Sequence, residues 1–219
     1  MTWRAAWLVM AFAGGVGGVT PRASAEGFTD IYIGGAFSDA STNGVQQQPG
    51  FAYSLDTSSS SWEGGLRGGY WFGGRAKWVG LAADVSYFQP AHVNVDLGLG
   101  SFIVVDPIAV NVLAATPLLM LRLPLLAGPE FEGGRLQPYA AVGPGLFTSF
   151  VTQNSWTETD FDVGVDVRAG LAVMLIRHLG LFVEYRYTDF DVTITDAWGL
   201  GVESTLSTNH VNAGLALRF

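Results

Sequence analysis

The sequence predicts an all-β fold: an eight-stranded antiparallel up-and-down transmembrane β-barrel. Three observations predict it. First, 49% of the 219 residues are apolar and only 14% are charged, with 29 Gly. Second, beyond residue 25 no clean apolar run reaches the ~20 residues that a spanning helix needs. The nearest, Ile108 to Gly128, is interrupted by Asn111, Thr116, Pro117, Arg122 and Pro124. A central Arg alone costs roughly 2.5–3.5 kcal/mol on insertion. Third, the apolar residues recur with a period of two, as in strands that give only alternate residues to an apolar surface.

The closing segment shows the period most plainly. Val211, Ala213, Leu215, Leu217 and Phe219 alternate with Asn212, Gly214, Ala216 and Arg218. This is the end of the eighth strand, about Leu206 to Phe219. The first runs from about Thr29 to Ser38, with Ile31, Ile33, Gly35 and Phe37 on one face. The second is Trp62 to Phe72, with Trp62, Leu66, Tyr70 and Phe72. The third is Trp78 to Phe88, with Val79, Leu81, Val85 and Tyr87. The fourth is about Ala109 to Leu123, with Leu113, Leu119, Leu121 and Leu123. The fifth is about Leu136 to Ser149, with Ala140, Val142 and Leu146. The sixth is about Asp162 to Leu175, with Val163, Val165, Val167, Leu171 and Val173. The seventh is Gly180 to Phe190, with Leu181, Val183, Tyr185 and Tyr187. Ten or eleven residues, tilted about 45°, cover the roughly 25 Å of an apolar band. In lipid every backbone N–H and C=O must be paired, so strands must close into a barrel.

The connections alternate in length. Asp39 to Ser61, Gln89 to Ile108 and Asp191 to Thr205 are long, and Val151 to Phe161 is moderate. Gly73-Gly74-Arg75-Ala76 and Ile176-Arg177-His178 are tight, and Pro124 to Arg135 is intermediate. Long loops outside and short turns inside is the pattern of outer-membrane barrels, with both termini on the periplasmic side. Pro117 and Pro144 fall inside strands that have no free edge, where Pro is rare. Bulges or strand breaks are expected to absorb them. A soluble β-sandwich tolerates edge Pro, but it leaves the fully apolar strand faces unexplained.

Residues 1–25 read as a secretory signal peptide and residues 26–219 as the barrel domain. Arg4 precedes an apolar, Gly-rich run from Ala5 to Val19, and Ala23-Ser24-Ala25 is an A-x-A cleavage site. The formal net charge is −8, which argues against nucleic acid as a partner. There is no Cys, so disulfides and thiolate metal sites are excluded.

Strand parity locates the charges. If the apolar residues face lipid, Glu63, Arg67, Asp84, Arg122, Asp166, Arg168, Glu184 and Arg186 all face the lumen. An Arg on the lipid face near the midplane costs about 2–4 kcal/mol, so this parity is informative. Four acids and four bases in so narrow a barrel are expected to form a plug of mutual salt bridges. A charged pore or a catalytic carboxylate set is the alternative. Lumen Gly and Ala leave room for the long side chains. Tyr70, Trp71, Phe72 and Trp78 at one end, and Tyr87, Phe88, Tyr187 and Phe190 at the other, are expected to form interfacial aromatic girdles.

These features resemble the small OmpA-type outer-membrane β-barrel proteins. The resemblance rests on Gly68-Gly69-Tyr70-Trp71-Phe72, Gly80 to Phe88, Leu136 to Phe147, Leu181 to Phe190 and the terminal strand. It implies location in the bacterial outer membrane, contact with outer-membrane lipid and lipopolysaccharide, and assembly by the barrel-insertion machinery. That machinery is expected to read Leu215, Leu217 and Phe219. The soluble peptidoglycan-binding domain of full-length relatives would follow Phe219, so no tethering role is expected.

Some barrels of this size modify lipid A, the deacylase with a Ser and a His on a late strand. Here His92 falls in a loop, His178 in a turn, and only His210 on a strand. The deacylase-like pattern needs Ser at 212, where this chain has Asn212. His210 is expected to be a satisfied lumen residue, and no enzymatic activity is expected. Asp160, Asp162 and Asp166, or Asp189 and Asp191, have the charge to gather Ca²⁺ loosely at the outer rim. Solvated acids, or acids bridging lipopolysaccharide through divalent cations, explain them as well. No metal site or cofactor is expected. The leading expectation is a structural or surface-interaction barrel with a plugged lumen. An adhesin-like or ligand-binding barrel acting through Asp39–Ser61, Gln89–Pro107 and Asp191–Ser204 is the alternative. A lipid A-modifying enzyme comes after both.

Overall fold

A computed structural model describes residues 25–41, 54–56, 58–96, 108–153, 156–195 and 201–219. Eight long strands form the wall: β1 (Glu26–Ser41), β2 (Ser58–Trp71), β3 (Val79–Asp96), β4 (Ile108–Arg122), β5 (Leu136–Gln153), β6 (Trp156–Ile176), β7 (Leu179–Thr195) and β8 (Gly201–Arg218). Each pairs antiparallel with its neighbours in sequence, and β8 returns to β1. A short strand, Ser54–Asp56, adds to the outer end of β3 at Asn94–Asp96. The helix present among the described residues is one 3₁₀ turn, Gly74–Ala76.

The register fixes the tilt. One circuit passes Gly27, Tyr70, Leu81, Leu119, Val142, Val167, Tyr187 and Asn209, and returns to β1 at Phe37. The return is ten residues beyond the start. With ~3.3 Å per residue along a strand and ~4.8 Å between strands, that offset tilts the staves by about 41°.

Alternation divides the residues as parity predicts. Ile33, Val183 and Val211 are more than half exposed on the outer surface, while Arg67, Asp166 and Arg186 are fully enclosed. The outward side chains form an apolar belt, which a soluble domain would have to cover.

The strands outrun their predicted ends. β3 continues to Asp96, β6 starts at Trp156 and β8 starts at Gly201. Sequence periodicity marks a strand only while one face stays apolar, whereas backbone pairing continues into polar, β-branched sequence. Gln153 pairs with Trp156, so the predicted Val151–Phe161 connection reduces to residues 154 and 155. The other three long connections lie partly outside the described residues.

Pro117 and Pro144 cause no bulge; the register shift in β3 lies between Phe88 and Ala91, at Gln89 and Pro90. β4 and β5 pair from Ala109 to Ala115 and again from Leu119 to Arg122 in the same register. In that register Pro117 lies opposite Pro144. A Cβ on Gly143 would collide with the Pro117 carbonyl oxygen, which therefore faces β5. Opposed residues in an antiparallel ladder exchange two hydrogen bonds or none. Setting one Pro against the other therefore confines the loss to a single bonding position. Both rings point outward, and each residue keeps its pairing on the far side, Pro117 with Ala83 and Pro144 with Val165.

Three predicted girdle residues turn inward instead. Trp71, Phe88 and Phe190 are buried in the lumen, while Tyr70 and Trp78 stay outside. The backbone parity of Trp71 is opposite to that of Tyr70 and Phe72, and parity outweighs chemical likeness. The intermediate connection folds back on itself through the bridges Leu125 to Leu136 and Gly128 to Phe131. It holds Leu126 at φ 54°, a left-handed conformation that costs a residue with a Cβ roughly 1–2 kcal/mol.

Candidate functional site

The lumen is the candidate site, and it is layered. Nearest the tight turns, Arg122 lies 4.4 Å above the Trp71 ring, and its Nη2 pairs with Glu26 at 2.6 Å. Its Nε donates to the Lys77 carbonyl at 3.0 Å. Phe28 stacks on Trp71 at 5.5 Å, and Arg218 lies over Phe28.

The middle of the barrel is an ion-pair network contributed by six of the eight staves. Arg67 on β2 pairs with Asp30 on β1 at 2.9 Å and with Glu184 on β7 at 2.5 Å. Arg218 on β8 takes the other oxygen of Asp30 at 2.8 Å. Arg168 on β6 grips Asp84 on β3 with two bonds of 2.9 Å, and donates to Asp166 at 2.8 and 2.9 Å. Arg186 on β7 reaches Asp166 at 2.8 Å, Ser86 at 2.7 Å and Glu63. Paired guanidinium donors matched to two carboxylate oxygens are the strong form of this interaction. Tyr32 donates to Asp84 at 2.9 Å; the two remaining staves join through neutral donors, Tyr139 of β5 to Glu184 at 2.8 Å and Thr116 of β4 to Asp166 at 3.1 Å. Glycine makes the room: a Cβ on Gly65 would strike Tyr32, and one on Gly170 would strike Tyr139.

Above this layer His210 bridges two strands. Its Nδ1 lies 2.8 Å from Glu63, and its Nε2 lies 3.1 Å from the Thr188 hydroxyl. Phe88 meets the imidazole edge-on at 4.8 Å. Toward the outer end the lumen turns apolar, with Phe147 and Phe190 stacked at 4.1 Å among Val112, Ala114, Val192 and Leu206.

The structure places all eight sequence-named charges inside, and brings seven of them into one network. Arg122 is the exception, held apart at the mouth by Glu26. Sequence reading missed Asp30 as a network member, although its parity beside Ile31 and Ile33 was legible. It also missed the tyrosines that bind the carboxylates and the apolar outer layer. Asp166 does not join Asp160 and Asp162 at the rim. It is enclosed between Arg168 and Arg186. Asp162 instead accepts the Asp191 backbone N–H at 2.8 Å.

The terminal strand closes the wall. Gly27 and Phe219 exchange backbone hydrogen bonds of 2.9 and 3.0 Å, and the Phe219 ring lies outward across Gly27. Leu215 and Leu217 share that outward face.

A closed antiparallel barrel of eight staves, apolar outside and ionic within, defines a small outer-membrane β-barrel. The sequence matches the family described as "Outer membrane protein beta-barrel domain" over residues 8–219, and the chain belongs to that family. Its fold is similar to that of Neisserial surface protein A, at 14% identity and a TM-score of 0.57, covering 90% of this chain and 99% of that one. It is also similar to the outer membrane protein OprG from Pseudomonas aeruginosa, at 19% identity and a TM-score of 0.58, covering 90% and 97%. No curated protein matches the sequence. Family membership implies the bacterial outer membrane as location.

Proposed function

We propose that this chain is a non-enzymatic, integral outer-membrane barrel with a sealed lumen, acting as a structural or surface-interaction protein. The observation that carries this reading is the lumen itself: an ion-pair network beneath an apolar layer, with guanidinium and carboxylate groups turned on each other. Such groups bind each other rather than a passing solute. Contact with outer-membrane lipid and lipopolysaccharide would involve the outward belt and the acidic outer segments. Binding to an extracellular ligand would use those same outer segments.

In this reading residues 1–25 are removed as a leader, both termini and the tight turns face the periplasm, and Leu215, Leu217 and Phe219 present the barrel to the insertion machinery. A lipid A-modifying reaction finds little support. His210 is enclosed beneath Phe88 and faces Thr188 and Glu63, away from the lipid surface. A strain lacking the chain should keep its lipid A mass profile. A profile that changes, and is restored by the wild-type chain but not by His210→Gln, would assign an enzymatic role instead.

A further inference from the structure

The cations of this chain fall into two sets. Beyond residue 25, Arg67, Arg122, Arg168, Arg186 and Arg218 are in the lumen, and each is in an ion pair. The remaining four are Arg75, Lys77, Arg135 and Arg177. They stand on the three connections that join β2 to β3, β4 to β5 and β6 to β7, all at one end of the barrel. All four are exposed, and among the described residues none is within an ion-pair distance of a carboxylate. That holds although Glu130 and Glu132 occupy the same connection as Arg135.

At the opposite end the described residues include Asp160, Asp162, Asp189 and Asp191 and no Lys or Arg. Segments 39–61, 89–107, 150–162 and 189–205 contain eleven Asp and Glu and no Lys or Arg. Among the described residues, exposed Lys and Arg therefore lie at the turn end alone, beside exposed Glu130 and Glu132.

The four cations also sit where the apolar belt stops. Leu123, Leu175, Ile176 and Phe219 are exposed just beside them. Exposed Trp78 donates from its indole to the Arg75 carbonyl at 3.1 Å, which fixes that turn at the belt's edge. Arg135 lies 5.7 Å from the Phe131 ring centre. A cation held at the edge of an apolar belt is at the depth of lipid phosphates. Four cations spread over three turns match a surface of many phosphates, which a single free anion could not span.

We propose that the rim of Arg75, Lys77, Arg135 and Arg177 binds the headgroups of anionic phospholipid in the inner leaflet of the outer membrane. The inner-leaflet assignment rests on the orientation proposed above. Each rim cation adds attraction that falls off within a Debye length, so binding is cooperative in charge number and sensitive to salt.

The test uses the purified, folded chain in micelles mixed with equal amounts of phosphatidylglycerol and phosphatidylcholine, read by native mass spectrometry. Phosphatidylglycerol should be retained several-fold over phosphatidylcholine at low salt, and the preference should vanish at high salt. The variant R75Q/K77Q/R135Q/R177Q should lose the preference while keeping its heat-modifiable gel migration. Should that variant not fold, R75Q/K77Q should show a reduced preference. Equal retention of the two lipids by the wild type, or an unchanged preference in the folded variants, would overturn the proposal. So would salt-sensitive binding to purified cell-wall sacculi without any lipid preference, which would assign the rim to an anionic wall polymer.

Orientation is tested separately. The chain has no Cys, so R75C provides a single thiol. It should resist a membrane-impermeant maleimide on intact cells and react after lysis. Labelling of R75C on intact cells, with the lipid preference present in the wild-type chain, would overturn the orientation and the inner-leaflet assignment, leaving the headgroup chemistry intact. Absence of the preference in the wild-type chain, with R75C unlabelled on intact cells, would overturn lipid binding alone.

Discussion

On β6, Val165 and Val167 face lipid, while Asp166 and Arg168, one residue along from each, share four ion pairs inside the barrel. The same backbone thus serves two environments with opposite rules. Outside, each apolar side chain meets disordered lipid tails, so its neighbours do not depend on its shape. Inside, each charge depends on the others, because a carboxylate without its guanidinium is enclosed with nothing to replace it. The lipid face should accept apolar exchange and reject charge. The lumen should reject the loss of any one charge.

Arg168→Leu should break the comparison most severely. It leaves Asp84 with no cation and takes one of two guanidinium partners from Asp166 and from Glu184, and removing one partner of a buried pair costs about 3–5 kcal/mol. The loss should appear as a lowered urea midpoint for the folded, heat-modifiable band. Val183→Arg tests the other face at a residue more than half exposed to lipid. It should cost about 2–4 kcal/mol near the bilayer midplane, measured in the same titration. Gly143→Ala comes next. Its new Cβ would strike the Pro117 carbonyl, and the backbone shift that relieves the clash should cost about 1–3 kcal/mol. At the low end, Val183→Leu should stay within about 0.5 kcal/mol, since it trades one apolar group for another against fluid lipid. A large effect of Val183→Leu together with a small effect of Arg168→Leu would invert the assignment of faces.

Period-two parity made much of this legible. It names the eight staves, their outward residues and eight lumen charges. Its failures have physical causes. Trp71, Phe88 and Phe190 were assigned by chemistry, as aromatics near strand ends, although the parity of Trp71 already put it opposite Tyr70. Strand ends were set where the apolar alternation stopped, yet pairing follows the backbone and continues to Asp96 on β3.

The partners within the network lay beyond reach for a different reason. Arg67 meets Glu184 across 117 residues of sequence, and Arg186 meets Glu63 across 123. Such pairings are set by the ten-residue stagger of the closed barrel. That stagger is a property of all eight ladders together, and no single segment contains it. Asp30 was readable by parity but sits near the start of the first stave, where only a short pattern supports it.

The central claim is that mutual ion pairing and the apolar layer above it seal the lumen. Recording purified, folded protein in planar lipid bilayers tests it most directly. The wild-type chain should give a quiet baseline with no discrete conductance steps. Regular unitary steps from the wild-type protein would contradict the sealed lumen and recast the charged layer as the lining of a pore.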